Sequence, residues 1–234
     1  GGEAVANGDD VSDWAGAKRL IDCAVETFGG LHVVVNNAGI LRDRMLVNMT
    51  EDEWDTVVKV HMKGTVAPMR WAAEYWRERT RSGETNDARI INTSSASGLY
   101  GNPGQVNYGA AKAGIASMTI IAAKELGRYG VTVNAIAPAA LTRMTEGLGP
   151  APETDEEREA RSPRWIAPIV TWLASEESAG VTGRVFEASG QTLAVAEGWV
   201  RGPQHAPVDD PTQLGPVVAE LLAQARPNSG MNGE

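Results

Sequence analysis

The stretch that decides the fold and the chemistry runs from Asn92-Thr93-Ser94-Ser95, across thirteen positions, to Tyr108-Gly-Ala-Ala-Lys112. Residues 88–93 predict a buried strand, and Ser95 follows where this strand ends. Residues 106–129 predict a helix, and on it Tyr108 and Lys112 share one face, about 6 Å apart along the axis. The sequence thus predicts that a hydroxyl, a phenol and an ammonium meet at one reacting oxygen.

The predicted neighbourhood of the phenol suggests how it could work near neutral pH. A free tyrosine has a pKa near 10 and is a weak base. An ammonium about 4 Å away, at an effective dielectric near 20, favours the phenolate by about 4 kcal/mol, or roughly three pKa units. We therefore expect Lys112 to bring the pKa of Tyr108 close to 7, where a general acid/base is most useful. Ser95 would supply a second hydrogen bond to the substrate oxygen.

Helical and strand patterns alternate along the chain, which predicts an α/β fold with a doubly wound parallel sheet. No internal repeat is visible. A proline-containing, charged stretch at 147–162 predicts a mobile loop. Further helices are predicted at 14–28, 51–81, 163–175 and 214–225, and further strands at 31–35, 131–136 and 184–188.

Composition limits the classes of function. The chain has 234 residues, 42% of them hydrophobic, which is enough for one sizeable domain. Its net charge of -9 argues against nucleic acid or an anionic membrane as a partner. No apolar run reaches the roughly eighteen residues of a membrane span. Cys23 is the only cysteine, which suits a reducing compartment, and we expect a cytoplasmic protein without a metal site.

Five motifs in order resemble the short-chain dehydrogenase/reductase family. Taken singly, Ser95, Tyr108 and Lys112 would be read as a turn residue, a packing residue and a solvated charge; together, at this spacing, they resemble the family's catalytic residues. The resemblance covers about residues 1–190 and leaves 191–234 as a C-terminal extension. It implies a Rossmann-like fold, a nicotinamide cofactor and hydride transfer. The other motifs are Asp10-Val11, Asn36-Asn37-Ala38-Gly39, Val133-Asn134-Ala135-Ile136-Ala137-Pro138 and Val181-Thr182-Gly183.

The resemblance also implies roles for individual residues. Substrate contacts fall on Ser95, Gln105 and Tyr108. NAD is the expected cofactor, and NADP is not excluded. Thr142 could contact the nicotinamide amide or could merely cap a short helix. The residues implied to border the cofactor are Asp10, Val11, Asn37, Ala38, Gly39, Thr93, Tyr108, Lys112, Pro138 and Thr142.

One family feature is absent from the sequence. Family members open with a strand, a glycine-rich turn and a helix whose N-terminus binds the pyrophosphate. Here the chain runs almost directly into Asp10-Val11, which the family places after its third strand. We therefore expect the first two strand-helix units, about sixty residues, to be missing. Either the sequence covers part of a longer protein, or the catalytic residues are a relic.

A second departure is Val60-His61-Met62-Lys63-Gly64, since most members carry asparagine at the position of His61. His61 could act in a proton relay, because imidazole titrates near 6.5, or it could be a structural histidine bound to a backbone carbonyl. Together with Ala139 after Pro138, this segment is similar to the dehydrogenase domains of peroxisomal multifunctional β-oxidation enzymes.

That similarity implies a lipid-like substrate, either a 3-hydroxyacyl-CoA thioester or a hydroxysteroid. The alternatives are an NADPH-dependent 3-oxoacyl-carrier-protein reductase and, in another class, a non-catalytic nucleotide-binding or scaffold protein. The helices around 54–76 and 106–126 form the usual dimer contact in the family, which implies a homodimer or homotetramer.

Overall fold

The computed structural model describes residues 2–146 and 150–234, which build a central sheet with helices on both faces. The strands are β1 (Val33–Asn36), β2 (Ala88–Thr93), β3 (Val131–Pro138), β4 (Val185–Ala188) and β5 (Leu193–Ala196). The helices are α1 (Trp14–Phe28), α2 (Glu51–Val58), α3 (Gly64–Arg81), α4 (Ala96–Tyr100), α5 (Val106–Leu126), α6 (Asp155–Ala160), α7 (Ala167–Ala174) and α8 (Leu214–Gln224).

The sheet follows the order of the chain, β1-β2-β3-β4-β5. The first four strands are parallel, and β5 runs antiparallel to β4. Parallel strands place their C-terminal ends at one edge, where ligands bind in open α/β sheets. β1 pairs only with β2 among the described residues, and its Val35 is 47% exposed. No strand precedes β1 in the described part of the chain.

The two faces of the sheet pack against different helices. Ile90 and Val133 lie in one cluster with side chains of α3 and α5. Ile91 and Ile136 lie in another cluster with Leu173 of α7. Strands that are buried on both faces read as continuous apolar runs, as 88–91 does. The predicted doubly wound α/β fold is confirmed.

The helix predicted at 51–81 is interrupted. Thr50 caps α2, and Glu53 completes a capping box, as the sequence indicates. A π-helical segment, Lys59–Lys63, then separates α2 from α3. Pro68 cannot donate to the carbonyl of Gly64, so the regular hydrogen-bond ladder is weakened at this point. The π-helical segment places His61 in the interior.

Two segments in the C-terminal half of the chain differ from the sequence-based prediction. Of the predicted mobile loop at 147–162, residues 147–149 lie outside the described residues, and 155–160 form α6 rather than a loop. The hydroxyl of Thr154 accepts a hydrogen bond from the Glu157 amide and so caps this helix. The sheet also continues past residue 190, because β5 pairs with β4. The four apolar residues of β5 are too few for the sequence pattern to distinguish a strand from a loop, so this strand was not predicted.

The approach of α4 to α5 depends on Gly98. A β-carbon at this position would lie 2.5 Å from the Ala113 amide nitrogen and 2.6 Å from the Lys112 carbonyl carbon. Both are backbone atoms of α5, so they cannot move aside as a flexible side chain would. Gly98 therefore sets the distance between Ser95, at the start of α4, and the helix that carries Tyr108.

We predict that Gly98→Ala lowers the free energy of unfolding by roughly 1 to 3 kcal/mol, the usual cost of overpacking. Urea unfolding followed by circular dichroism measures the change. Gly127→Ala is the matched control, because a β-carbon at Gly127 meets no atom within 4 Å. An equal loss in both variants would contradict the role given to Gly98.

Candidate active site

Ser95, Tyr108 and Lys112 come together at the C-terminal edge of β2. Ser95 is the N-cap of α4, and its hydroxyl accepts a hydrogen bond from the Ser97 amide at 3.2 Å. Tyr108 lies in the first turn of α5, close enough to the Ser95 hydroxyl for Ser95 to lower its pKa. Lys112 follows one turn later, with its Nζ 5.5 Å from the centre of the Tyr108 ring. The predicted meeting of hydroxyl, phenol and ammonium is present in the structure.

The Lys112 ammonium is buried, with only 3% of the residue exposed. Its Nζ donates a hydrogen bond to the carbonyl oxygen of Thr93 at 2.6 Å. Burial disfavours the charged form and lowers the pKa of Lys112 to about 8. The ammonium therefore joins α5 to the end of β2.

The expected shift of the Tyr108 pKa is wrong in direction. Burial raises the pKa of Tyr108, because a phenolate is costly to bury. The nearby Ser95 hydroxyl acts in the opposite sense, while the charge of Asp43 raises the pKa further. The sequence argument weighed only the attraction to Lys112 and left out the cost of burying the phenolate.

His61 packs against Tyr108. The two rings meet edge to face, with 5.1 Å between their centres. His61 is 1% exposed, and its Nε2 lies 2.7 Å from the carbonyl oxygen of Ile40. A β-carbon on Gly39 would meet the imidazole at 2.6 Å, so glycine is needed there. The bond to Ile40 matches the structural alternative for His61, and the contact with Tyr108 places the ring at the site.

The imidazole is held in its uncharged form. Burial, followed by the charge of Lys112, lowers the pKa of His61 to about 4, although the hydrogen bond with Ile40 acts in the opposite sense. The other ring nitrogen, Nδ1, is buried without a hydrogen-bond partner among the described residues. Near neutral pH His61 therefore presents a neutral nitrogen inside the site.

Gln105, a predicted substrate contact, lies 7% exposed in a polar network behind Ser95 and Tyr108, together with residues that the sequence did not single out. Gln105 donates from Nε2 to the Asp43 carboxylate at 2.7 Å, and its Oε1 accepts from the Ser97 hydroxyl at 2.7 Å. Asn107 donates to the carbonyl oxygens of Arg42 and Glu53 at 2.9 and 3.0 Å. Only its position indicated that Asp43 could have a functional role, since it lies on the polar loop after β1 at the ligand-binding edge of the sheet.

The residues expected to border the cofactor divide into two groups. Asn37 and Ala38 are exposed at the end of β1, and Asn37 accepts a hydrogen bond from the Thr93 hydroxyl at 3.1 Å. Together with Pro138, which ends β3, they lie along the C-terminal edge of the sheet.

The second group forms no hydrogen bond to Ser95, Tyr108 or Lys112 in the part of the chain that the structure describes. Asp10 is exposed and accepts hydrogen bonds from Ser12, which hold the pKa of its carboxyl below the usual range. Neighbouring Val11 lies against Gly64. Thr142 is exposed in a turn, where its carbonyl accepts from the Thr145 amide at 3.0 Å.

Among the described residues, no group of three or more His, Cys, Asp or Glu side chains could hold a metal ion. No helix of the described chain is long and apolar enough to cross a membrane.

Comparison with known proteins finds relatives that are named as dehydrogenases and reductases. The family model described as Enoyl-(Acyl carrier protein) reductase matches residues 1–190. The chain is 46% identical over 199 residues to hydroxyacyl-CoA dehydrogenase ChsB1 of Mycobacterium tuberculosis, covering 83% of this chain and 62% of that protein. It is 40% identical over 194 residues to the peroxisomal hydratase-dehydrogenase-epimerase of Neurospora crassa, covering 83% of this chain and 20% of that protein.

A solved structure gives the same result. A short chain dehydrogenase from Mycobacterium avium superposes with a TM-score of 0.89 at 53% identity, over 98% of this chain and 77% of that one. The chain thus spans less than two thirds of the length of the two curated relatives just described.

The burial of the His61 imidazole predicts how the free energy of unfolding changes as the pH falls. The pKa of His61 is about 4 in the folded protein, against about 6.5 in an unfolded chain, so protonation favours the unfolded chain. The contribution of His61 to stability is fully present above about pH 6.5 and is lost as the pH falls from there towards 4. We expect His61→Asn to lose less stability over this range than the unmodified protein.

Urea unfolding at a series of pH values measures this slope. The control is His205→Asn, because His205 is exposed in the C-terminal segment. The same slope in His61→Asn as in the unmodified protein would refute the buried, neutral state of His61.

Proposed function

The chain belongs to the short-chain dehydrogenase/reductase family, and from this premise we propose that it carries out hydride transfer between a nicotinamide cofactor and a secondary alcohol or ketone. The substrate class is a 3-hydroxyacyl-CoA thioester or a hydroxysteroid. We propose residues 1–190 as the catalytic domain and 191–234 as a C-terminal extension whose first strand joins the sheet.

One observation carries this proposal. The Lys112 ammonium is buried on the same face of α5 as Tyr108, 5.5 Å from the centre of the phenol ring, and it is bonded to Thr93, two residues before Ser95. Burying a lysine costs folding free energy, and here the buried lysine lies beside a phenol, near the end of the strand that precedes Ser95. Packing alone does not require a buried lysine beside a phenol and a hydroxyl.

The chain's own residues supply orientation and proton transfer. Ser95 and Tyr108 are placed to hold one substrate oxygen between them, and Tyr108 exchanges the proton with it. Burial keeps Tyr108 protonated, so in the direction of reduction the phenol is ready to donate. Ser95 offers a hydrogen bond to the charge that develops on the oxygen. We propose that His61 supports this arrangement by fixing the Tyr108 ring through their edge-to-face contact.

The described residues fit one half of a nicotinamide cofactor. When bound, the nicotinamide supplies or accepts the hydride. We propose that Lys112 contacts its ribose, that Asn37, Ala38, Gly39, Thr93, Tyr108, Pro138 and Thr142 line its pocket, and that Asp10 and Val11 border the adenine. Support for this comes from the exposed end of β1 and the buried ammonium beside it. The described residues before β1 hold no glycine-rich turn for the pyrophosphate.

We propose NAD rather than NADP, because the β-oxidation dehydrogenase domains that the chain resembles usually take NAD. Ser95, Gln105 and Tyr108 are the proposed substrate contacts. The second candidate function is an NADPH-dependent 3-oxoacyl-carrier-protein reductase, which is favoured by 41% identity over 190 residues to the 3-oxoacyl-[acyl-carrier-protein] reductase FabG of Thermotoga maritima. A non-catalytic nucleotide-binding or scaffold protein is the alternative of another class, and the buried Lys112 beside Tyr108 argues against it.

We further propose a homodimer or homotetramer in the cytoplasm. The outer side of α5 carries Ile120 and Ile121, which are 39% and 52% exposed, as an oligomer contact would need. The lone Cys23 is compatible with a reducing compartment.

Removing the Tyr108 hydroxyl tests the mechanism. We predict that Tyr108→Phe lowers kcat for a 3-oxoacyl thioester at least about a hundred-fold, the usual contribution of a positioned acid/base. Nicotinamide absorbance measures turnover, and circular dichroism verifies the fold. Tyr129→Phe, outside the site, should retain the activity. Substantial turnover by Tyr108→Phe would overturn the proposed role of this phenol.

A further inference from the structure

Asp43 places a carboxylate beside the proposed reacting centre. It lies on the loop after β1, and this loop is joined to the start of α5 by the Arg44 amide, which donates to the Gly104 carbonyl at 2.8 Å. One carboxylate oxygen, Oδ2, accepts the hydrogen bond from Gln105 at 2.7 Å. The other, Oδ1, is buried without a hydrogen-bond partner among the described residues. The carboxylate is thus held in place through one oxygen, while its other oxygen lacks a hydrogen bond.

The neighbouring cations do not neutralise this carboxylate. Arg44 forms its ion pair with Glu53 at 2.8 Å. Arg42 donates to the carbonyl oxygen of Leu41 at 2.8 Å. No ion pair of Asp43 is found in the described part of the chain. Asp43 is partly buried, and its Oδ1 lacks a hydrogen bond among the described residues; leaving a buried acceptor unpaired costs folding free energy, so its retention needs a reason outside stability.

Two structural links connect the Asp43 carboxylate to Ser95 and Tyr108, and both pass through Gln105. Gln105 joins it to Ser97, whose amide in turn donates to the hydroxyl of Ser95. Gln105 also caps α5, three positions before Tyr108, and its carbonyl accepts from the Gly109 amide at 2.6 Å. The negative charge of Asp43 also raises the pKa of Tyr108.

A substrate that reacts between Ser95 and Tyr108 is therefore exposed to this charge. In a free 3-hydroxy or 3-oxo acid, the carboxylate is separated from the reacting carbon by a single carbon. Like charges brought together in a partly buried site repel strongly, and such repulsion is a common way to reject a wrong partner. An ester, thioester or amide of the same acid is neutral and avoids the repulsion.

We propose that Asp43 is a specificity-determining residue that excludes free carboxylic acids and admits derivatives whose C1 carbonyl is uncharged, such as thioesters. This inference rests on the proposed function and deepens it, because it separates acyl thioesters from the acids that they yield on hydrolysis. It assigns Asp43 no part in proton transfer.

Three probes with the same acyl group test the inference: the N-acetylcysteamine thioester of acetoacetate, acetoacetamide and free acetoacetate. The unmodified protein should show a kcat/KM for acetoacetamide at least about ten-fold above that for acetoacetate, since like-charge contacts cost several kcal/mol. In Asp43→Asn this ratio should fall at least about ten-fold, mainly through a gain with acetoacetate. Asp43→Glu, which keeps the charge, should keep the preference.

Asp55→Asn is the matched control, because it removes an equal charge from an exposed position on α2 and should leave the ratio unchanged. Equal use of acetoacetamide and acetoacetate by the unmodified protein overturns the inference without any variant. The inference is also overturned if folded Asp43→Asn keeps the acetoacetamide-to-acetoacetate ratio of the unmodified protein. If the unmodified protein turns over none of the three probes, the proposed function fails as well, whereas turnover of the thioester without discrimination leaves that function standing.

Discussion

The hydrogen bond between the Lys112 ammonium and the Thr93 carbonyl is the interaction on which the site depends. It joins the first turns of α5 to the last residue of β2, at 2.6 Å, in the interior of the protein. Tyr108 lies one turn before Lys112, and Ser95 lies two residues after Thr93. A single buried contact thus fixes the distance between the two side chains that would hold the substrate oxygen. Gly98 completes the constraint, because it lets α4 lie directly on α5.

Burial acts on all three titratable groups of this site in the same sense. It lowers the pKa of Lys112 and of His61 and raises the pKa of Tyr108, so each group moves towards its uncharged form. Such a site accepts a neutral carbonyl readily and must stabilise any developing charge with hydrogen bonds. Asp43 adds a fixed negative charge next to this largely neutral centre.

The sequence predicted the elements that repeat a pattern over many residues. Strand β2, helix α5 and the trio were readable because apolar periodicity and an i,i+4 spacing do not depend on distant contacts. The pKa of Tyr108 was not readable, since burial is a property of the packed structure. The bond between Asp43 and Gln105 also escaped, because it joins residues far apart in the chain. The π-helical segment Lys59–Lys63 is local, but the sequence pattern did not distinguish it from a regular helix.

The central claim is that these residues support hydride transfer rather than nucleotide binding alone. The most direct measurement uses NADH carrying deuterium at C4 of the nicotinamide, a 3-oxoacyl thioester and mass spectrometry of the product. The account predicts a 3-hydroxyacyl thioester with one deuterium on C3. It is contradicted if the same protein binds NADH and the substrate is recovered without deuterium, with NADPH giving no transfer either.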